Sequence, residues 1–449
     1  MHEKLLALNM YALALIEVAN VNDNYLSNNT YPLPSKWALY KMSHSDQLTQ
    51  ITLPTLTQSE SSEPVKIVRY QSEFSLVSGV NKPKVFKVLC TDGRTRRQLV
   101  KGRDDPRQDA VMQQIFQATN CILGRRRKRL TSQVMQMRTY KVVSLSKQCG
   151  AIEWCEGTTP VNPWLVMGHQ RYRPDDLKTN QAMSALFQVN NLTTNVAKEG
   201  KPEKLLAKFK EVWHKIGPVF GFFFLERFPN AADWHRAKNI YATSLAVSSI
   251  VGYVVGLGDR HTNNILVDLS CGELIHIDLG IAFDQGKCLP TPELVPFRLT
   301  RDFEQALGPK GVEICLHPIA EQVLETLQSS GEVIVTLLQV LLHDPLYAWC
   351  LTPSRLLDLE RRRMEKLSSD PSLSMSLYSS SFIGGSFPGG DSSNNTNQLA
   401  RKVIITVRER LQPPAPGKIG VSAQIEQLLG QARSYENLSR MYYGWQSYM

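Results

Sequence analysis

The chain has 449 residues, which is long enough for two or three domains that each bury a core. Its apolar, charged and aromatic fractions are ordinary for a soluble globular protein, and its formal charge of +10 suits acidic partners such as nucleotide phosphates or acidic proteins without establishing nucleic-acid binding. The eight cysteines form no C-x-x-C pair, which argues against a structural zinc site and for reduced, mostly buried thiols.

The N-terminal region predicts a helix rather than a targeting segment. Residues 2–20 repeat apolar positions at helical spacing, and no small-residue cleavage site follows them. The most apolar stretch, 244–258, is interrupted by serines and three glycines and falls short of the roughly 20 residues that a membrane span needs. We therefore expect a soluble, intracellular protein whose residues 1–60 are the end of a helical region and a linker.

Residues 61–155 predict a small lobe rich in strands. Short alternating runs at 84–89, 97–101 and 140–145 are typical of strands, with turns at 91–93 and near Gly150. One helix is predicted between these strands. Asp105 is its capping residue, Pro106 follows at the first helical position, and Gln108 stands three residues after the cap.

The remainder of the chain predicts a larger helical lobe. Residues 156–366 read as mainly helical apart from a strand pair around 264–278. A Ser/Gly/Asn-rich segment at 367–398 has no periodicity and is predicted to be a disordered loop. A helix and linker at 399–416 and a final helical unit at 417–449, which ends in an aromatic cluster, complete the chain. The fold class is therefore α+β, with two lobes, a small one rich in strands and a larger helical one.

Three residues of the larger lobe have the spacing of a phosphotransfer site. Asp259 precedes Asn264 by five residues, as the catalytic Asp precedes the metal-binding Asn in ordinary protein kinases. Asp278 follows a short strand and is succeeded by Leu-Gly, which matches the metal-binding Asp-Phe-Gly element. The loop reads Asp-Arg-His, which reverses the familiar order. The alternative is a turn that is merely rich in Asp and Asn.

The smaller lobe supplies a candidate cation for the phosphates. Lys101 ends a predicted strand, and Asp109, in the first turn of the next helix, or Asp104 could pair with it. The loop that contains Gly79 could cover phosphates with backbone N–H groups, although an ordinary hairpin explains a single glycine nearly as well.

Four long motifs, in the right order, resemble the phosphatidylinositol-3-kinase-related protein kinases. They occupy 101–114, 256–266, 276–280 and 289–302, the similarity extends over about 64–449, and residues 417–449 resemble the FATC segment of that family. The resemblance implies a kinase fold of the PI3/PI4-kinase type, with residues 1–60 as the end of a FAT-like region. It also implies ATP with Mg²⁺ (or Mn²⁺) as cofactors.

The resemblance also implies roles for individual residues. Asp259 would be the catalytic aspartate, with His261 stabilising the transferring phosphate. Asn264 and Asp278 would hold the metal, and Lys101 would contact ATP. The residues expected to position Lys101 or to hold the nucleotide are Asp104, Asp109, Tyr140, Glu153, Trp154, Cys155 and Gly79.

The segment 279–296 tests whether the substrate is a lipid. A lipid kinase must hold a phosphorylated inositol head group, so several basic residues are expected there. The segment contains Lys287 as its single basic residue, against Asp284 and Glu293. The sequence therefore favours a peptide substrate, and the resemblance implies Ser or Thr followed by Gln as the acceptor.

The resemblance further implies a nuclear protein that acts in DNA-damage response, checkpoint signalling and telomere maintenance. DNA-end sensor complexes and protein substrates are the expected partners, and no membrane is expected. Members of the family dimerise, and the sequence leaves the oligomeric state of this chain open. A phosphoinositide lipid kinase and a catalytically silent scaffold fragment remain the alternatives. Because members of the family carry long helical arrays before the kinase, the chain is expected to be a fragment or a reduced form.

Three further patterns each allow an ordinary explanation. The basic run 124–129 could be a nuclear signal or a DNA contact, and a solvated loop explains it equally well. The Thr-Gln or Ser-Gln pairs at 49–50, 57–58 and 132–133 could be self-phosphorylation sites, but such dipeptides are common. The C-terminal aromatic residues could bind a partner, whereas the resemblance implies that they pack on the catalytic lobe.

Overall fold

A computed structural model describes nine stretches of the chain, which are residues 2–21, 30–56, 63–77, 82–125, 134–192, 201–289, 291–342, 392–412 and 419–449. The chain divides by its contacts into two units. The sheet unit comprises the described residues within 1–114 and 139–156, and the helical unit comprises those within 115–138, 157–359 and 370–449.

The sheet unit is built on one antiparallel sheet of six strands in the order β1-β2-β3-β4-β6-β5. Its strands are β1 (Thr30–Pro32), β2 (Ile67–Leu76), β3 (Lys84–Cys90), β4 (Thr95–Gly102), β5 (Val142–Ser146) and β6 (Cys149–Glu153). Its helices are α1 (His2–Asn20), α2 (Ala38–Ser43), a 3-10 helix (Asp46–Gln50) and the start of α3 (Arg107–Arg125).

Helix α1 shares a hydrophobic core with the sheet. Leu15 and Val18 of the helix are fully buried, as are Phe86 and Val88 of β3, and all four belong to one cluster. The helix approaches β4 so closely that a Cβ added at Gly102 would lie 2.4 Å from the carbonyl oxygen of Ala19. Glycine is therefore required where β4 ends, because any side chain would collide with main-chain atoms that cannot give way.

A buried polar cluster crosses the centre of this core. The Tyr11 and Tyr70 hydroxyl groups lie 2.7 Å apart, and Tyr70 donates to Gln98 Oε1 at 2.5 Å. The Gln98 amide donates in turn to Tyr11 and to Thr55 Oγ1, both at 3.1 Å. Burial raises the pKa of Tyr11 to about 12. The cluster joins α1, β2, β4 and the segment before β2, and it is stable because its buried polar atoms satisfy one another.

The helical unit contains a small antiparallel sheet in the order β7-β8-β9, formed by β7 (Thr158–Pro160), β8 (Ile265–Asp268) and β9 (Leu274–His276). Its helices before β8 are α4 (Val161–Tyr172), α5 (Thr179–Leu192), α6 (Lys201–His214), α7 (Gly221–Arg227) and α8 (Ala231–Val255). Those after β9 are α9 (Arg301–Leu307), α10 (His317–Ser330), α11 (Glu332–Leu342), α12 (Ser392–Leu411), α13 (Val421–Arg433) and α14 (Tyr435–Ser439). Shorter turns are two 3-10 helices, Gln285–Cys288 and Tyr443–Trp445, and a π-helix, Val312–Leu316.

Helix α8 is the central element of this unit. It is apolar nearly all round and is buried from Tyr241 to Gly252, as expected of a helix surrounded by other elements. Aromatic rings from α7 and α9 pack beside it, and Tyr241 lies 4.9 Å from Phe224 between ring centroids. Asp302 lies in the first turn of α9 and accepts hydrogen bonds from the backbone N–H groups of Val219 and Phe220, at 2.7 and 3.0 Å. That buried carboxylate ties α9 to the start of α7.

The α+β class, with a sheet-rich part and a larger helical part, is confirmed. The strands predicted at 84–89 and 97–101 are present as β3 and β4. The strand predicted at 140–145 begins two residues later, at Val142, and β1 joins the sheet from the region 1–60. Helix α12 begins at Ser392, inside the segment 367–398 that was predicted to be disordered, and the residues of that segment before 392 lie outside the described residues. In the part of the chain that the structure describes, no helix is long and apolar enough to cross a membrane.

The buried polar cluster predicts a large effect for one isosteric change. Gln98→Met retains the volume of the side chain but removes its acceptor and its donor, so that Thr55 and the tyrosine hydroxyls lose partners in the core. We expect a loss of about 1–3 kcal/mol in the free energy of unfolding of the sheet unit. Denaturant unfolding followed by tryptophan fluorescence measures this loss. Gln114→Met, at an exposed position, is the matched control, and equal stability of the two variants would contradict the expectation.

Candidate functional site

The aspartate loop (residues 258–264) starts where the buried helix α8 ends. Gly256 caps that helix in the left-handed conformation, with φ 62°, and its N–H donates to the carbonyls of Gly252 and Tyr253. A Cβ at Gly256 would lie 2.5 Å from the backbone nitrogen of Asp284. Both the conformation and the close approach demand glycine, so the sequence Gly-Leu-Gly directs the chain out of α8 and into the loop.

Two aspartates of the site have unusual backbone conformations. Asp259 has φ 56° and Asp278 has φ 54°. A non-glycine residue in this region costs about 1–3 kcal/mol, and such costs are concentrated at functional sites. The N–H of Asp259 donates to both carboxylate oxygens of Glu293, at 3.0 Å each, and this contact holds the strained turn.

The structure brings together the three residues that the sequence placed in the aspartate loop. Asn264 Nδ2 donates to the backbone oxygen of Asp259 at 3.0 Å and lies 3.4 Å from Asp259 Oδ2. His261 Nε2 lies 4.0 Å from the same carboxylate oxygen. Asn264 is 4% exposed. Because Asn264 follows Asp259 by five residues, a single tight loop brings the two side chains together.

Arg260 connects this loop to the Asp278 segment (residues 277–280). Its guanidinium is buried and donates to the carbonyls of Gly258 and Ile277, at 2.8 Å each, and of Asp278, at 2.5 Å. The N–H of Ile277 also donates to the carbonyl of Asn264 at 3.0 Å. Since these acceptors belong to both segments, one side chain fixes Asp278 beside Asp259 and Asn264.

Arg260 also affects a neighbouring histidine. Burial, and then the positive charge of Arg260, lower the pKa of His276 to about 3. The imidazole next to the Asp278 segment is therefore neutral at physiological pH, and it adds no second cation beside the carboxylates.

Sequence reasoning missed Arg260 and Glu293 as site residues. Arg260 was read as the middle of an Asp-Arg-His signature, and Glu293 was read as an acidic residue in the segment 279–296. No signal in the sequence points to Glu293, because the two glycines that crowd it are brought to it by the fold. A Cβ at Gly258 or at Gly286 would lie 2.5 or 2.4 Å from a Glu293 carboxylate oxygen.

Lys101 lies near the end of β4, as predicted, and its Nζ is 2.5 Å from Asp104 Oδ2. Both side chains are less than one-fifth exposed, so the pair is partly desolvated and holds the ammonium in one place.

Asp109 lies in the first turn of α3 and is 5% exposed. Asp105 and Pro106 directly precede that helix. The Asp105 carboxylate caps it by accepting a hydrogen bond from the N–H of Arg107 at 3.0 Å.

The predicted adenine-binding residues lie around the strands β5 and β6. Tyr140 is buried, and its N–H donates to Gln113 Oε1 at 3.0 Å. The Glu153 carboxylate accepts from the N–H of Lys141 at 2.9 Å. Cys155 is buried, and the guanidinium of Arg97 lies 4.8 Å from the ring centroid of Trp154. One face of the tryptophan is therefore covered by a cation.

Several predicted features lie partly or wholly outside the described residues. These are Gly79, residues 126–129 of the basic run, and the pairs Thr57-Gln58 and Ser132-Gln133. Thr49-Gln50 is exposed at the end of the 3-10 helix Asp46–Gln50, and Thr49 Oγ1 donates to the carbonyl of Asp46 at 2.6 Å.

Comparisons with known proteins identify the family to which the chain is similar. The family described as phosphatidylinositol 3- and 4-kinase matches residues 97–351, and the FATC domain matches residues 418–449. The serine-protein kinase ATM of Sus scrofa is 38% identical over 418 residues, which are 90% of this chain and 13% of that protein. The serine/threonine-protein kinase tel1 of Schizosaccharomyces pombe is 38% identical over 385 residues, or 84% of this chain and 13% of that protein.

Two solved structures of CtTel1 are similar to this chain over nearly its whole length. The open conformation of CtTel1 superposes with a TM-score of 0.83 and 31% identity, covering 99% of this chain and 15% of that one. The FAT and kinase domain of CtTel1 gives a TM-score of 0.82 and 32% identity, covering 99% of this chain and 28% of that one. This chain therefore spans a small fraction of the length of these relatives. Because the family match covers more than half of its residues, the chain belongs to the phosphatidylinositol 3- and 4-kinase family.

Proposed function

We propose that the chain is an ATP-dependent protein serine/threonine kinase. The observation that carries the proposal is the constellation of Asp259, Asn264 and Asp278, which Arg260 holds together through main-chain carbonyls. Phosphoryl transfer requires positioned charges more than covalent chemistry, and a rigid, partly desolvated set of oxygen ligands meets that requirement. The names of the related proteins, ATM and tel1, support the same activity.

In this proposal the residues have separate tasks. Asp259 orients the attacking hydroxyl and accepts its proton, and His261 stabilises the transferring phosphate. Lys101 contacts the ATP phosphates, and the ion pair with Asp104 keeps its ammonium in position. Asp109 supports the same contact from α3. Tyr140, Glu153, Trp154 and Cys155 hold the adenine, and the loop with Gly79 covers the phosphates.

The residues of the Asp278 segment and the aspartate loop fit a magnesium ion. Carboxylate and amide oxygens are the ligands that Mg²⁺ prefers, usually one or two from the protein together with water and phosphate oxygens. Asn264 uses its Nδ2 on Asp259, so its Oδ1 is the atom that would join the Asp278 carboxylate as a ligand. Within the described ranges no three His, Cys, Asp or Glu side chains cluster as an all-protein metal centre. When bound, Mg²⁺ or Mn²⁺ would neutralise the phosphate charge.

A peptide is the proposed substrate, with Ser or Thr followed by Gln. In the segment 279–296 the ammonium of Lys287 lies 3.2 Å from Asp284, and Asp284 also pairs with Arg410 at 2.7 Å. The lysine is therefore already paired, and the carboxylate of Glu293 is directed at Asp259. The segment therefore lacks the cluster of basic side chains that an inositol phosphate would need, which supports a protein substrate over a lipid.

The wider role is proposed by similarity to the named relatives. We place the protein in the nucleus, in DNA-damage response, checkpoint signalling and telomere maintenance, with DNA-end sensor complexes as partners. A relative, CtTel1, is known as a complete dimer with C2 symmetry, and self-association of this chain is proposed on that basis.

Removing the Asp278 carboxylate tests the proposed chemistry. Asp278→Ala should lower phosphotransfer by about a thousandfold or more, because a metal ligand contributes several kcal/mol of charge stabilisation in the transition state. The fold should persist, since Arg260 binds the backbone oxygen of Asp278 and not its side chain. Transfer of ³²P from ATP to a Ser-Gln peptide measures the rate, and circular dichroism checks the fold. Asp233→Ala, on the exposed start of α8, is the control. Full activity of Asp278→Ala would disprove the assignment.

Phosphorylation assays with peptide and with lipid acceptors test the proposed substrate class. We expect the purified chain to phosphorylate a Ser-Gln peptide at least about tenfold faster than the same peptide with Ser-Ala, because binding of one polar side chain contributes about 1–2 kcal/mol. Phosphatidylinositol vesicles should receive no phosphate. Preferential labelling of the vesicles would establish the lipid kinase instead. A failure to label either acceptor, with ATP still bound, would favour the silent scaffold.

A further inference from the structure

The terminal segment (residues 445–449) is buried in the helical unit. Trp445 is 3% exposed, and Tyr448 and Met449 are both fully buried. Terminal residues are ordinarily exposed and poorly ordered unless other groups hold them. The burial therefore calls for specific contacts that anchor the segment. Arg301 donates to the carbonyl of Tyr448 at 3.0 Å, and Arg298 and Gln446 provide the contacts with the aspartate loop.

Arg298 is the first anchor. Its buried guanidinium donates to the carbonyls of Trp445 at 2.7 Å and of Gln446 at 2.9 Å, and it lies 4.3 Å from the ring centroid of Trp445. The same guanidinium reaches the carbonyl of Arg260, in the aspartate loop, at 3.3 Å. Burial lowers the pKa of Arg298 to about 9, which leaves the group protonated at neutral pH. The charge is stabilised by backbone carbonyls of both segments.

Gln446 is the second anchor, and its conformation is constrained. Its φ is 56°, a left-handed value that is costly for a residue with a side chain. Its carbonyl accepts from Arg298 and its N–H donates to the carbonyl of Tyr443 at 3.1 Å, so the backbone is held on both sides. This conformation directs the side chain toward the aspartate loop.

The side chain of Gln446 meets that loop at Thr262. Thr262 Oγ1 donates to Gln446 Oε1 at 2.8 Å, and its other acceptor, Asn162 Oδ1, is more distant at 3.3 Å. Thr262 is fully buried and lies between His261 and Asn264. A hydrogen bond between two buried side chains fixes a loop more strongly than one exposed to water.

We propose that Gln446 is a positioning residue for phosphotransfer, which acts through its hydrogen bond with Thr262 to hold the aspartate loop in its active geometry. The inference rests on the proposed kinase function and adds to it a residue 187 positions from Asp259 along the chain. It makes the terminal segment part of the site without any contact with ATP or substrate.

A double-mutant cycle on the full chain tests this coupling. Thr262→Val and Gln446→Met each remove one partner at nearly constant volume. Each should lower kcat about three- to tenfold, with the KM for ATP changed less than about twofold. The double variant should be no slower than the poorer single variant, because both changes remove one interaction. Thr262→Ser, which keeps the hydroxyl, should retain near-normal kcat.

A matched control separates positioning from general stability. Thr326→Val removes the hydroxyl of another buried threonine, whose bond to the carbonyl of Gln322 stays inside α10. It should lower the melting temperature about as much as Thr262→Val and leave kcat unchanged. The proposal is overturned if the losses of the two single variants multiply in the double variant. It is also overturned if kcat follows the melting temperature in all variants, the control included.

Hydrogen exchange decides the inference independently of activity. Amide protection of the peptide that contains 258–264 should fall in Gln446→Met and in Thr262→Val, and stay unchanged in Thr326→Val. Unaltered protection in Gln446→Met would refute the coupling even in an active kinase. If the wild-type chain transfers no phosphate, the proposed function fails, and the exchange pattern still shows whether Gln446 holds the loop.

Discussion

The interaction on which the site depends is the contact of the buried Arg260 guanidinium with main-chain carbonyls. A buried cation without compensation is very costly, and here its acceptors are backbone oxygens of the aspartate loop and of the Asp278 segment. The charge therefore cannot be stabilised unless both segments take up this one arrangement. In this way the cost of burying an arginine becomes a constraint on where Asp259, Asn264 and Asp278 lie.

A second buried guanidinium, that of Arg298, is also bound by backbone carbonyls. This guanidinium also lies among carbonyl oxygens and an aromatic ring, and its acceptors come from the terminal segment and from Arg260 itself. The two arginines are thus connected directly, because the side chain of Arg298 donates to the backbone oxygen of Arg260. Main-chain carbonyls suit this role, since they carry no charge that could repel the phosphates of a nucleotide. Their positions are set by the backbone conformation, which includes the left-handed residues Asp259, Asp278 and Gln446.

Local patterns predicted much of the fold and part of the site. The strands β3 and β4 and the helix α3 with its Asp105 cap follow from periodicity and capping, which act over a few residues. The strands β1 and β7 could not be predicted, because three residues carry almost no periodic signal and are ordered by their partners β2 and β8. Asp259, Asn264 and Asp278 were identifiable because their spacing is a local property. The contacts of Glu293 and Gln446 were not, since their partners lie far away in the sequence.

The sequence by itself determined the chemical inventory of the protein. It specified which side chains carry carboxylate, amide and ammonium groups, their order along the chain, and the glycines that permit the left-handed turn at 256 and the close approach of α1 at 102. Only the tertiary structure decided how the aspartate loop, the Asp278 segment and the terminal segment are held together. The physical reason is that Arg260 and Arg298 act through backbone carbonyls, and every residue presents the same carbonyl to such a contact as its neighbours do. Residue identity therefore gave no indication of which carbonyls the two arginines bind, and only the folded chain selects them.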